Sequence, residues 1–488
     1  MVIRFKYCCI LFLSAFISLY TYGQTAKGQK RFTIMGLGDS LTAGGDYFHS
    51  YLFPLWERLF IAGYSFDFIG PRSGKCRIGS LNHSGFSGKN AEYLDAHIDS
   101  IYHKYPADFV LLHAGHNHFD TEKPVTGIIS AYQSIIRKIK SINPDVYILV
   151  AEVVTSGKLP KYSYIPGLNL EIERMVKEMN DDHVILVDHA TGFDWKQHTI
   201  NDMVHPNRQG AEKMADQWFE AMKNILAPSG QAFHPRMVTY KTLDTGEELK
   251  LHIFMPDHLR KKQKRPVIVF FFGGGWALGT PLQFYRECAY YTSKGMVAVS
   301  AEYRISYMHK SSPFESFEDA KDVIEWLRTN ASEYHIDPGK IAAAGASAGG
   351  HLAAALGTIQ DTGRKSKVSY RPDLLLLYYP VVDNGENGYG SQAMKERFKE
   401  ISPLHNISSN TPPTLFILGT KDQLIPVKTA QEFERRLQSQ NVECELHLLK
   451  GAGHPIFQYR KELTNDFYTI RRITDNFLSR HGYMKKQK

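Results

Sequence analysis

The chain has 488 residues, 43% of them hydrophobic, 12% aromatic and 22% charged. It carries enough apolar surface to fold and no low-complexity block, which excludes disordered, collagen-like and coiled-coil classes. At roughly 150 residues per domain it predicts about three domains or two large ones. The formal charge of +8 falls to about +3 once Arg4 and Lys6 near the start and Lys485, Lys486 and Lys488 at the end are set aside, too little to argue for a nucleic-acid partner.

The first residues, MVIRFKYCCILFLSAFISLYTYGQ, place two cations before an apolar run from Tyr7 to Tyr20 and the small residue Gly23. This is the pattern of a secretory leader over residues 1–23, and it sets the expectation of a secreted or periplasmic protein without stable membrane insertion after cleavage. An uncleaved anchor is the alternative, although the run is short for a hydrocarbon core of ~30 Å. Cys8 and Cys9 precede the apolar run rather than follow it, unlike a lipoprotein's cysteine. Beyond the leader, Cys76, Cys288 and Cys444 are odd in number and lack metal-ligand spacing, so neither a disulfide framework nor a metal site is expected. Free thiols are the simpler reading, with a Cys288–Cys444 pair left open.

From Arg31 onward, β-rich apolar runs alternate with segments of helical period: FTIMGLG, SYLFPLWERLFIAG, FDFIG, DFVLLHAG, TGIISAYQSIIRKIKSI, VYILVAEVV, LNLEIERMVKEM, HVILVDH and GAEKMADQWFEAMKNIL. Strands separated by helices predict a mostly parallel sheet covered on both faces, over residues 30–226. The rhythm breaks at APSGQAFHP, residues 227–234, which reads as a linker. A second α/β series occupies residues 235–483. It opens on ELKLHIFMP, which alternates like an antiparallel edge strand, and continues through PVIVFFFGGGW, MVAVSAEYR, KIAAAGASAGG, LLLLYYP, TLFILGTKD and ECELHLLKG. The basic run LRKKQKR, residues 259–265, reads as a solvated turn, and residues 484–488 as a basic tail. The fold class is therefore α/β, with two three-layer α/β/α domains.

In the first half, GLGDSLTAGG follows directly on the strand FTIM, so Ser40 falls at a strand's carboxyl end, where open α/β sheets place their ligands. A serine hydroxyl is a weak nucleophile until a base takes its proton. NDMVHPNRQG supplies Asp202 and His205, three residues apart and just before a helix. Four blocks then occur in one order: GDSLTAG, NHSGFSG, HAGHNHFD and DMVHPN. Together they resemble the SGNH hydrolases, or GDSL-type esterases, whose sheet is flavodoxin-like. The resemblance implies Ser40 as nucleophile, His205 as base and Asp202 as its partner. It also implies an oxyanion hole from the N–H groups of Ser40 and Gly88 and the amide of Asn117. His118 stands where the family usually has aspartate. Residues 35–88 look most like carbohydrate esterase family 3, whose members remove acetyl groups from xylan. Tyr47, Phe48 and Tyr51 read first as core aromatics, with stacking on sugar rings as the alternative.

In the second half, KIAAAGASAGGHLAAAL reads as a strand, a tight G-x-S-x-G turn and a helix, which exposes Ser347 at the sheet edge. GGGW follows an upstream strand, and Asp422 and His454 follow two later ones, in the order of α/β-hydrolases. The domain resembles the acetyl-esterase and hormone-sensitive-lipase-like branch of that fold. The resemblance implies Ser347 as nucleophile, His454 as base, Asp422 as its orienting acid, and an oxyanion hole at Gly274, Gly275 and Ala348. Phe272 replaces the branch's usual histidine, while His335 and His351 read as ordinary packed or surface residues.

The expectation is a two-domain serine esterase acting on acylated poly- or oligosaccharide, chiefly acetylated xylan, with no cofactor or metal. Two alternatives are a peptidase of prolyl-oligopeptidase type in the second domain, and one domain acting as a non-catalytic carbohydrate-binding module.

Overall fold

A computed structural model describes residues 31–228, 230–257, 259–260, 263–360, 366–454 and 464–485. The leader and Lys486–Lys488 lie outside these residues, and the run 259–265 lies partly outside them. The chain divides into two compact units between Ala232 and Phe233. Within the stretch 227–234, the Gly230 N–H donates to the Gly63 carbonyl (2.8 Å) and so belongs to the first unit, while Phe233 packs edge-on against Tyr285 (5.5 Å) of the second.

Among its described residues the first unit holds seven strands: β1 Phe32–Gly38, β2 Phe66–Phe68, β3 Arg72–Cys76, β4 Gly79–Gly85, β5 Phe109–His113, β6 Tyr147–Ala151 and β7 Val184–Val187. Their order is β3-β4-β1-β5-β6-β7, with β2 also paired to β1. All pairs are parallel except the hairpin β3–β4. That hairpin was not expected, because RSGKC and GSLNHSG carry no apolar period to betray a strand. The covering helices follow their spacing: Val125–Ile142 buries Ile128, Ala131, Tyr132, Ile135, Ile136 and Ile139 along one stripe. Central β5 is buried along its whole length, as a parallel strand covered on both faces must be.

The second unit holds β8 Arg236–Thr242, β9 Glu248–Phe254, β10 Arg265–Phe271, β11 Val297–Ala301, β12 Ile336–Ala346, β13 Leu374–Tyr378, β14 Thr414–Gly419 and β15 Cys444–Leu449. Their order is β15-β14-β13-β12-β10-β11-β9-β8. The antiparallel strand expected at the edge, β9, is antiparallel to both neighbours but lies one place in. The half-exposed β8 covers it and forms the true edge. Cys76, Cys288 and Cys444 are free thiols, the first two buried. Among the described residues no helix is long and apolar enough to cross a membrane.

Candidate active sites

In the first unit the chain leaves β1 at Gly38 and turns at once into the short helix Ser40–Ala43, which Asp39 caps by accepting the Leu41 N–H (2.9 Å). Burial pushes the Asp39 carboxyl up to about 6, against the downward pull of that bond. The Nδ1 of buried His116 comes within 3.8 Å of Asp39, but burial also lowers His116 to about 3, so the two form no ion pair at neutral pH. The end of β4 presses on the same helix. A Cβ on Gly85 would stand 2.5 Å from the Ala43 nitrogen, so the close approach that aligns this loop with Ser40 requires glycine.

Ser40 Oγ lies 2.9 Å from His205 Nε2, and His205 Nδ1 lies 2.5 Å from Asp202 Oδ2. Asp202 turns its other oxygen inward to accept the N–H groups of Val204 and His205, both at 2.9 Å. Burial works upward on Asp202, but its bonds to the His205 ring and to these two N–H groups outweigh it and hold the carboxylate below its usual range. The ring of Phe48 stacks on His205 at 4.1 Å, a contact between two parts of the chain that no local motif announces. The three aromatics behind the nucleophile thus separate: Tyr47 is 88% exposed, Phe48 lies on the histidine, and Tyr51 is core. The Tyr51 hydroxyl bonds Thr42 Oγ1 (3.0 Å), so for Tyr51 the core reading holds and the sugar-stacking alternative does not.

Of the expected oxyanion donors, Ser40 opens its helix, where first-turn N–H groups lack intrahelical partners. Gly88 lies in the loop just after β4. Asn117 sits with φ 70° and gives one amide proton to the Lys89 carbonyl (3.0 Å), tying it to the Gly88 loop and leaving the second proton for a ligand. His118, in place of the family's aspartate, bridges Glu92 (2.9 Å) and Glu122 (3.1 Å). Its bond to Glu92, aided by Glu122, raises its affinity for a proton despite partial burial. In place of the aspartate, His118 thus ties the residue after Asn117 to Glu92 and Glu122.

In the second unit Ser347 joins β12 to the helix Ala348–Thr358 with φ 53° and ψ −118°, a strained conformation for a residue bearing a side chain. The helix then passes so close to the sheet that a Cβ on Gly349 would lie 2.0 Å from the Phe271 carbonyl oxygen. Ser347 Oγ lies 3.1 Å from His454 Nε2, and His454 Nδ1 lies 2.7 Å from Asp422 Oδ2. Asp422 repeats the device of Asp202, its free oxygen accepting the N–H groups of Leu424 (2.8 Å) and Ile425 (2.9 Å). Each acid is thereby fixed by a backbone pair before it orients its histidine.

The glycine loop after β10 gives its Gly273 N–H to Gln283 Oε1 (2.6 Å), so the next two, on Gly274 and Gly275, are the loop's candidates for an oxyanion. Ala348 opens the helix and offers the third N–H. Phe272 fits without the usual histidine: its ring stacks on Tyr303 at 4.2 Å, and its carbonyl accepts the Tyr303 hydroxyl (2.6 Å). His351 is buried edge-on against Trp276 (5.0 Å), and His335 Nδ1 lies 3.1 Å from the Gln263 carbonyl. Neither joins the Ser347 relay.

Residues 37–213 match the GDSL-like lipase/acylhydrolase family, and residues 251–373 match the BD-FAE family. Ser347 falls inside the second match, while Asp422 and His454 lie beyond it and are joined to the serine by geometry. Esterase LipC of Mycobacterium tuberculosis is 30% identical over 213 residues, which are 39% of this chain and 52% of that protein. An acetylxylan esterase of Xylanibacter ruminicola is 24% identical over 261 residues, 50% of this chain and 52% of that protein. The chain thus spans about half the length of these curated relatives. The apo form of Thermogutta terrifontis esterase 2 is 32% identical, with a TM-score of 0.50 over 54% of this chain and 100% of that one. The chain carries two domains of carboxylic ester hydrolase type.

Proposed function

We propose that the chain is a secreted or periplasmic serine esterase with two independent sites, which remove acyl groups, chiefly acetate, from plant polysaccharide such as xylan or from its oligosaccharides. The observation that carries this reading is the presence of two complete Ser–His–Asp relays, each within hydrogen-bonding reach on its own sheet. In each site the histidine Nε2 takes the serine proton as Oγ bonds to the ester carbonyl carbon. The tetrahedral oxyanion is held by Ser40, Gly88 and Asn117 in one site, and by Gly274, Gly275 and Ala348 in the other. The histidine returns the proton to the departing sugar oxygen as its bond to carbon breaks. Water then attacks the acyl-serine by the same route, giving free acid and regenerating the serine.

The polysaccharide substrate is supported by the acetylxylan esterase relative and by the resemblance of residues 35–88 to carbohydrate esterase family 3. The leader pattern supports export. Incubation with acetylated and feruloylated xylan fragments, read by product mass, tests the substrate. Loss of acetate masses is expected. Cleavage of a peptide anilide with no action on 4-nitrophenyl acetate would instead make the second domain a peptidase.

A further inference from the structure

The two sites meet solvent differently. The side chains of His205 and Asp202 are 24% and 37% exposed, whereas those of His454 and Asp422 are 4% and 0% exposed. Beside the second site, Tyr379 stands edge-on to His454 (4.6 Å), and Tyr389 packs on Trp276 of the glycine loop (5.9 Å).

Around the first site runs a belt of loops, each hydrogen-bonded to the next. The His49 N–H donates to the Pro206 carbonyl (3.3 Å), joining the loop of Tyr47 and Phe48 to that of Asp202 and His205. The Met203 carbonyl accepts the Gly157 N–H (3.0 Å) and the Ser156 hydroxyl (2.8 Å), which joins the catalytic loop to residues 156–161. The Lys161 carbonyl accepts the Asp120 N–H (3.0 Å), joining that segment to the loop of Asn117 and Phe119. Five large hydrophobic side chains are exposed among the first unit's described residues. Four of them, Tyr47, Phe119, Leu159 and Met203, stand one in each of these four loops. Single exposed apolar groups are ordinary, but these four share hydrogen-bonded loops that also carry Asn117, Asp202 and His205. Charged groups interleave them: Asp46 precedes Tyr47, and Lys161 Nζ lies 4.4 Å from the Phe119 ring centroid. Apolar faces broken by polar groups suit sugar rings, which are apolar on their faces and hydroxylated at their edges. A lipid tail would call for unbroken apolar surface.

We propose that the two sites divide the substrate by size, a division that rests on the esterase reading of both. The first acts on esters along a polysaccharide chain laid across the exposed belt. The second, whose histidine and aspartate side chains are nearly inaccessible, takes short acylated oligosaccharides.

The test uses the full chain as Ser347→Ala, leaving only the first site, and as Ser40→Ala, leaving only the second. Acetate release is measured from polymeric acetylated xylan and from acetylated xylotriose. The ratio of kcat/KM for polymer over trisaccharide should be at least ~10-fold higher in Ser347→Ala. In that background Tyr47→Ala and Phe119→Ala should each lower the ratio by up to roughly 10-fold, the scale of one lost ring contact, chiefly through KM. Equal ratios in the two single variants, or belt substitutions that leave the ratio unmoved, would overturn the division. Preference of Ser347→Ala for a tributyrin emulsion over the polymer would make the belt a lipid surface instead. If both variants cleave 4-nitrophenyl acetate but neither sugar ester, the polysaccharide reading itself fails and takes the division with it.

Discussion

Asn117 and His118 show how one site is assembled from side chains that act on different partners. With the second site silenced by Ser347→Ala, Asn117→Ala should lower first-site kcat by about 10²- to 10³-fold, the range for one oxyanion donor, with a much smaller change in KM. Because Asn117 has φ 70°, Asn117→Gly relieves any backbone strain and should be equally slow. Turnover restored by glycine would show that backbone fit, and not the amide, matters. His118 binds protons more tightly when folded, through Glu92 first and Glu122 second. Its contribution to stability is therefore full below the ordinary histidine pKa of ~6.5 and is lost as pH rises through its higher folded value. His118→Gln should lower the first domain's melting temperature more at pH 5.5 than at pH 9, read by calorimetry on the full chain; the reverse order would mean the bridge is unimportant. The serines, histidines and acids of both relays were legible in the sequence because their blocks announce the chemistry. Phe48 on His205, and Glu92 beside His118, were not. Those contacts join positions 157 and 26 residues apart, and only the folded sheet brings them together.

At the scale of elements, the buried parallel strands were readable because a strand covered on both faces must be continuously apolar. The hairpin β3–β4 and the edge strand β8 escaped because a strand with a wet face needs no such run, and RSGKC and RMVTYKT are mostly polar. The turn at Ser347 is an element whose geometry leaves little freedom. Gly349→Ala sets a methyl 2.0 Å from the Phe271 carbonyl oxygen, so second-site turnover in a Ser40→Ala background should fall at least ~10²-fold. Full activity would mean that the helix can shift without cost. In the glycine loop, Phe272→Ala removes a fully buried ring that stacks on Tyr303 and should cost the second domain about 3–5 kcal/mol in denaturant unfolding. A cost below ~1 kcal/mol would show that the ring does not hold the loop.

Over the whole molecule, two α/β units each bring a serine, a histidine and an aspartate into hydrogen-bonding reach, the aspartate fixed by two backbone N–H groups, beside separate oxyanion candidates. With no shared group between the relays, substitutions in one should not alter chemistry in the other. This independence is the central claim, and the most direct measurement is hydrolysis of a small acetyl ester by Ser40→Ala, Ser347→Ala, the double variant and the intact chain. The rates of the two single variants should sum to that of the intact chain, the double variant should be inactive, and a fluorophosphonate should label two serines per intact chain. If one substitution alone abolished all hydrolysis and one serine never took the label, the silent unit would be a binding module and the two-enzyme account would be contradicted.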